Sequence, residues 1–384
     1  MIFSVSSSFS DFYRGKTVLV TGHTGFKGGW LSVWLKMLGA RVIGFSLSPE
    51  EGRPSFFEAA EVARDMVSVF GDIRDLQALS AVMRKHEPEI VFHNAAQSLV
   101  LRSYREPVNT FATNVMGTVH VLEAVRTTSS VRAVVIVTSD KCYENREWVW
   151  GYREGEPLGG HEPYSSSKGC AELVTAAYRH SFFNENGGAA VASVRAGNVI
   201  GGGDWAEDRI VPDVVRGIAS GKPIPIRHPR AVRPWQHVLE PLRGYVMLGQ
   251  RLSSGDAQAF ARAWNFGPRD EDALSVRELA EQILTFWGAG ELAVQENGQG
   301  PHEADYLKLD CSNAHTRLGW RCVLNIEEAV KLTVEWYRTV LTTPAASSAI
   351  TESQIRAYED RLSQKRIPDG EVRESLRAAS AGRD

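Results

Sequence analysis

The sequence predicts an α/β protein: a doubly wound parallel sheet followed by a smaller α/β domain. Three observations predict it. A short, partly β-branched apolar run, Thr17-Val18-Leu19-Val20, leads into the glycine-spaced stretch Gly22-His23-Thr24-Gly25-Phe26-Lys27-Gly28. Apolar residues then recur at helical spacing (Trp30, Leu31, Trp34, Leu35, Leu38) until Gly39 stops the helix. Strand-like and helix-like segments go on alternating up to about residue 195, the pattern of βα repeats in a Rossmann-like sheet.

Each element follows in order. Arg41 to Phe45 reads as the second strand, and a third candidate strand precedes Gly71. Glu89 to His93 is a strand, Thr110 to Arg126 a long helix and Ala133 to Val137 a strand. A second long helix is expected from Tyr164 to Phe183, then a strand from Ala190 to Val194. After Asn198 the texture changes: Gly201-Gly202-Gly203 cluster, and Pro223 to Pro234 is proline-rich and basic. Val276 to Phe286 and Ile326 to Leu341 are amphipathic helices. The expected division is a cofactor domain over 1–195, a substrate-binding domain over 196–341 with some segments returning to the first, and a polar extension over 342–384. In that extension a linker is expected from Thr342, then a surface helix from Ile350 to Leu362. No internal repeat is present.

With 384 residues, 43% hydrophobic and 23% charged, the chain has the composition of a globular protein with a full core. A net charge of -3 argues against general nucleic-acid or membrane binding. Cys142, Cys170, Cys311 and Cys322 show no metal-ligand spacing and suit a reducing compartment. The Ser-rich opening lacks a basic n-region, and no apolar run approaches the roughly 18 residues of a bilayer span. A cytoplasmic protein without a metal is expected.

Glycines at 22, 25 and 28, set between strand and helix, let a pyrophosphate approach the backbone at a helix N-terminus. Thr24, Phe26 and Lys27 belong to the same turn. Asp72 and Ile73 follow the third strand, where a carboxylate meets an adenine amino group. Ala95, Ala96 and Gln97 follow the fourth, beside ribose and phosphates. Ser46 ends the second strand with no arginine beside it, which favours NAD over NADP. Tyr164 and Lys168, four apart, share one helix face, and a nearby ammonium favours the phenolate. With Ser139 they handle a hydroxyl proton in step with hydride transfer. Asp140 and Lys141 exceed that need. Oxidising a sugar hydroxyl acidifies the neighbouring C–H, and expelling the next hydroxyl then requires a base and an acid. Asp140 is read as the acid and Lys141 as the base, hence a dehydratase. Arg216, Lys222, Arg227, Arg230 and Arg233 fall in a stretch without acidic residues, as a substrate diphosphate would want. Arg233 is the leading candidate and Arg209 the second.

Longer strings carry a resemblance. Thr21 to Trp30 (TGHTGFKGGW), Thr113 to Thr118 (TNVMGT), Thr138 to Asn145 (TSDKCYEN), Trp148 to Tyr152 (WVWGY), Pro163 to Glu172 (PYSSSKGCAE), Arg195 to Trp205 (RAGNVIGGGDW) and Arg233 to Leu239 (RPWQHVL) are all present. Together they resemble the extended short-chain dehydrogenase/reductases, and within them the CDP-glucose 4,6-dehydratases. The resemblance covers about Phe12 to Tyr337. It implies a tightly held NAD, with Asn114 among its contacts, reduced by hydride from sugar C4 and reoxidised at C6 after water is lost across C5 and C6. It implies a nucleotide-sugar substrate, CDP-glucose, and a product, CDP-4-keto-6-deoxyglucose, used in deoxysugar and polysaccharide biosynthesis. Asn198, Arg209 and Arg233 fall where such enzymes hold the diphosphate. Homodimers through the two long helices are also implied. Sister enzymes acting on dTDP-glucose carry Glu where this chain has Lys141, and Asn94, Ser98 and Leu101 depart from the family pattern. A nucleotide-sugar 4-epimerase, or a dehydratase for another nucleotide-glucose, is the rival reading. A non-catalytic cofactor-sensing module is disfavoured because Tyr164, Lys168, Ser139 and Asp140 are all kept.

Overall fold

A computed structural model describes residues 5–183, 188–294 and 306–364, with side chains from residue 9 onward. Seven parallel strands form one sheet: β1 (Thr17–Thr21), β2 (Arg41–Ser46), β3 (Val67–Phe70), β4 (Ile90–His93), β5 (Ala133–Val137), β6 (Ala190–Ala196) and β7 (Ala263–Phe266), in the spatial order β7-β6-β5-β4-β1-β2-β3. β1 and β4 run side by side although three crossovers separate them, and this reversal opens a crevice at the carboxyl edge of the sheet. β1, β4, β5 and β6 are buried throughout, as continuous apolar runs in a sheet covered on both faces should be.

Helices cover those faces: α1 (Val5–Tyr13), α2 (Phe26–Met37), α3 (107–126), α4 (Pro163–Phe182), α5 (Leu239–Arg251), α6 (Ile326–Thr342) and α7 (Ser347–Gln364). One π turn, Ala112–Met116, interrupts α3. The core lies in two layers, one on each side of the sheet; the larger takes in Trp30, Trp34, Trp264, Trp320 and Trp336.

Every strand expected before residue 195 is present within a residue or two. Beyond it, β7 pairs with β6 in the main sheet, and α5 packs against β4, β5 and β6. Segments after residue 195 therefore supply the edge strand of the main sheet and part of its cover. The expectation for the tail is corrected. After Thr342 the chain makes one 3-10 turn and then α7, which is no surface helix: Ile355 and Tyr358 are buried. Tyr358 Oη donates to the buried carboxylate of Glu240 at 2.8 Å, and Trp34 Nε1 donates to Glu359 at 2.9 Å. Apolar residues spaced for burial along α7 account for this; the polar composition of the segment concealed them. Residues 365–384 lie outside the described residues. Among the described residues no helix is long and apolar enough to cross a membrane.

Candidate active site

A cleft of about 750 Å³ follows the carboxyl edge of the sheet. Its first wall is the glycine turn. Gly22 has φ +75°, and a Cβ there would sit 2.7 Å from the Ala95 nitrogen; one at Gly28 would sit 2.0 Å from the Gly22 carbonyl oxygen. Both positions exclude a side chain by contact. Gly25 starts α2 in an extended conformation with no side-chain cap, so the first N–H groups of the helix remain for an anion. A backbone cradle that any Cβ would fill, ending at an uncapped helix, fits a dinucleotide pyrophosphate.

Thr24, Phe26, Lys27, Ser46, Asp72, Ile73, Ala95, Ala96 and Gln97 line the same cleft. The Ser46 hydroxyl lies 2.8 Å from that of Thr24. Both oxygens of Asp72 are engaged by Arg74, whose hydrogen bonds hold the carboxyl below its usual range; Arg74 also lines the cleft and was not anticipated. Asn114 stands behind this wall. Its carbonyl accepts from the Gln97 nitrogen at 2.8 Å, and its amide donates to the Gln97 carbonyl and to Ser167. It therefore shapes the loop after β4 from beneath.

The candidate reacting set gathers where β5 meets α4. Glu162 caps α4 by accepting from the nitrogens of Tyr164 (2.6 Å) and Ser165 (2.9 Å), and Pro163 opens the helix. Tyr164 and Lys168 then point into the cleft, both buried. Lys168 Nζ donates to the Val137 carbonyl at 3.1 Å. Burial brings its amine down to about 8, with the charge of Lys27 adding to the effect. Burial pushes the Tyr164 phenol up to about 12, opposed by a hydrogen bond with Ser139 and by the charge of Arg209. In the protein alone, then, desolvation outweighs the cationic help expected for the phenolate.

Just after β5, Ser139 Oγ accepts from the Lys141 nitrogen and donates to Asp140 Oδ1 at 2.9 Å, folding residues 140–142 into one 3-10 turn. Asp140 is 4% exposed, and burial raises its carboxyl above the usual range despite the opposing charge of Lys141. The backbone opposite must be bare: a Cβ on Gly197 would lie 3.0 Å from Asp140 Oδ2. Lys141 is half-buried on the cleft wall. Lys27, pushed down to about 8 by burial and Arg209, feels the charges of Asp140 and Asp204.

Asn198, Arg209 and Arg233 line the outer end of the cleft. Arg209 pairs with the buried Asp204 at 2.8 Å and donates to Ser98 at 3.1 Å, so it reaches from the start of the helix 210–220 to the loop after β4. Asp204 was missed as a site residue, although it lies in the string GNVIGGGDW. The five-cation cluster does not converge. Arg227 and Arg233 reach the cleft, whereas Arg216, Lys222 and Arg230 are exposed, and Arg216 is tied to Asp213. Helix 210–220 turns Arg216 outward, which spacing along a loop could not reveal.

The model of the GDP-mannose 4,6 dehydratase family matches residues 19–333. The CDP-glucose 4,6-dehydratase of Salmonella typhimurium is 53% identical over 332 residues, covering 85% of this chain and 92% of that protein. Among solved structures, a dTDP-glucose 4,6-dehydratase from Streptomyces venezuelae with NAD bound superposes with TM-score 0.70 at 26% identity, covering 84% of this chain and 97% of the other. A Thermotoga maritima UDP-glucose 4-epimerase superposes with TM-score 0.73 at 24% identity, covering 85% and 99%, which speaks for the fold alone. The glycine turn, the Tyr164–Lys168 face and the Asp140 turn all lie within the matched span, and the chain belongs to the GDP-mannose 4,6 dehydratase family.

Proposed function

We propose that this chain is an NAD-dependent lyase that converts CDP-glucose to CDP-4-keto-6-deoxyglucose and water, working as a cytoplasmic homodimer in deoxysugar biosynthesis for surface polysaccharides. One observation carries the reaction type: a buried carboxyl with a raised pKa, Asp140, hydrogen-bonded to Ser139 in the cleft that also holds Tyr164 and Lys168. The 53% identity to a CDP-glucose enzyme supports the choice of nucleotide.

Residues 1–195 hold the cofactor, with the uncapped start of α2 against the pyrophosphate, Ser46 on a ribose hydroxyl and Ala95 to Gln97 alongside. Bound there, NAD would supply a hydride acceptor and donor and, when oxidised, a positive charge beside the phenol. Tyr164 removes the C4 hydroxyl proton, Ser139 shares it, and Lys168, fixed by the Val137 carbonyl, supplies positive charge. The resulting ketone acidifies the C5 proton, which Lys141 takes. Asp140, whose carboxyl burial pushes above its usual range, donates its proton to the departing C6 hydroxyl. Asn198, Arg209 and Arg233 hold the diphosphate, Arg209 being pre-aimed by Asp204.

The test is a panel of CDP-, dTDP-, UDP- and GDP-glucose with product identification. The expected result is a 4-keto-6-deoxy product, absorbing in alkali, from CDP-glucose. Formation of CDP-galactose would make the protein an epimerase, and turnover of another nucleotide instead would overturn the cytidine assignment.

A further inference from the structure

Behind the reacting set lies a buried ion pair that the acid–base chemistry does not use. Glu172 follows Lys168 by four residues, as Lys168 follows Tyr164, so the three share one face of α4. Its partner is Arg195 on β6, at 2.8 Å, with both side chains 3% exposed. The Glu172 carboxylate also accepts from Ser193 at 2.8 Å and from Thr138 Oγ1 at 2.5 Å. Thr138 immediately precedes Ser139 and Asp140.

The other end of the same segment is held by the same pair. Arg195 Nη1 donates to Tyr143 Oη at 2.6 Å, and its guanidinium lies 4.8 Å over the Tyr143 ring. Tyr143 follows the turn of residues 140–142 and donates to Asn265 Oδ1 on β7 at 2.8 Å. Asn265 in turn donates to the carbonyls of Tyr152 and Asp310. Residues 138–143, which carry three of the five reacting groups, are thus gripped at Thr138 by Glu172 and at Tyr143 by Arg195. Tyr164 and Lys168 stand on the helix that supplies the grip.

A buried ion pair adds little net stability compared with apolar residues of the same shape. What it does supply is direction, through short charge-assisted hydrogen bonds. We propose that Glu172 is a positioning residue: acting through Thr138, with Arg195 as counter-ion, it fixes Ser139 and Asp140 relative to Tyr164 and Lys168, so that groups serving two different sugar carbons stay in register. This rests on the dehydratase reading.

Replacing Glu172 directly would strand a buried arginine and threaten the fold, so the test removes the contact and keeps the pair. Thr138→Val deletes the hydroxyl that touches Glu172; Thr138→Ala is a second deletion of the same group, and Thr138→Ser restores it. The readouts are kcat, KM, melting temperature and reduced nicotinamide during turnover of whichever nucleotide sugar the unaltered enzyme uses. A displacement of the order of 1 Å costs about 100-fold in rate. Thr138→Val and Thr138→Ala should therefore lose about 10- to 100-fold in kcat with KM within about twofold. Reduced nicotinamide should accumulate in both, and Thr138→Ser should stay near the unaltered rate. Unchanged kcat in both deletions would overturn the proposal. So would equal impairment of Thr138→Ser, or a loss seen only as a lower melting temperature. Failure of the dehydratase reading shows separately, as a different product from the unaltered enzyme.

Discussion

Asp140 and Lys168 are both buried ionisable groups, and burial drives them in opposite directions toward neutrality: the carboxyl up, the amine down. In the proposed mechanism the neutral form of Asp140 is the useful one, since only a protonated carboxyl can give a proton to the departing hydroxyl. Asp140→Asn keeps the shape and removes the acid. With CDP-glucose it should still form reduced nicotinamide within the first turnover, while release of the 4-keto-6-deoxy product falls by about 100-fold or more. Product formation at the unaltered rate would free Asp140 from that role. For Lys168 the useful form is the charged one, so the cofactor-free protein stores a penalty. With a folded pKa of about 8 and an unfolded one near 10.5, the amine is charged in both states below about pH 8, where the cost of burying it is felt in full, on the order of 3 kcal/mol. Between those values the folded state has lost its proton and the unfolded state has not, so the cost shrinks as pH rises. Lys168→Met should accordingly stabilise the cofactor-free protein at pH 7 in a denaturant titration, by a margin that narrows toward pH 10. A gain independent of pH would show that the ammonium is not the source.

At the scale of elements, the tail helix α7 has the most to gain from test. It seats Ile355 and Tyr358 in the core, with the Tyr358 ring 5.8 Å from that of Trp34 on α2, the helix that begins at the glycine turn. Ile355→Ala should cost about 2–4 kcal/mol in chemical denaturation, as for other large-to-small changes at fully buried positions. Arg356→Ala, one residue on and exposed, should cost under about 0.5 kcal/mol. Equal, small effects would mean that α7 is dispensable packing. The same helix shows what a sequence reading can reach. Strands β1, β2, β4, β5 and β6, the glycine turn and the Tyr164–Lys168 face were readable because their signals lie within a few residues of one another. The partners of α7 do not: Tyr358 and Glu240 are 118 residues apart, and Trp34 and Glu359 are 325 apart. Glu172 escaped for the same reason, and Asp204, only five residues from Arg209, escaped because a loop has no regular spacing to read. Each sat inside a string already quoted, but their partners, Thr138 and Arg195 for one and Arg209 for the other, are brought near only by tertiary packing or a loop turn.

At the scale of the whole molecule, the helices that cover one face of the sheet carry an exposed apolar patch. α3 and α4 pack side by side there and turn large apolar side chains outward: Val108 is 82% exposed, Met116 47%, Leu173 60% and Phe182 53%. Scattered single exposures are ordinary, but four gathered on two adjoining helices form a patch that the proposed homodimer would cover. An isologous pairing would bring each protomer's α3 and α4 against the same two helices of its partner, burying the standard area of about 800 Å² a side. The arrangement also bears on chemistry, because α4 carries Tyr164, Lys168 and Glu172 on its inner face. Clamping its outer face in the proposed dimer would restrain the helix that carries Tyr164 and Lys168 and that touches Thr138 through Glu172. Leu173→Glu and Val108→Glu should each place a charge in the middle of that contact while leaving the protomer's core untouched. Sedimentation of the unaltered protein at micromolar concentration should give about twice the 42.4 kDa chain mass, the two variants about once, with kcat falling in step with dissociation. A monomeric unaltered protein, or variants that stay paired, would place the subunit contact elsewhere or remove it, and would leave α4 to be held by Glu162, Glu172 and the sheet alone.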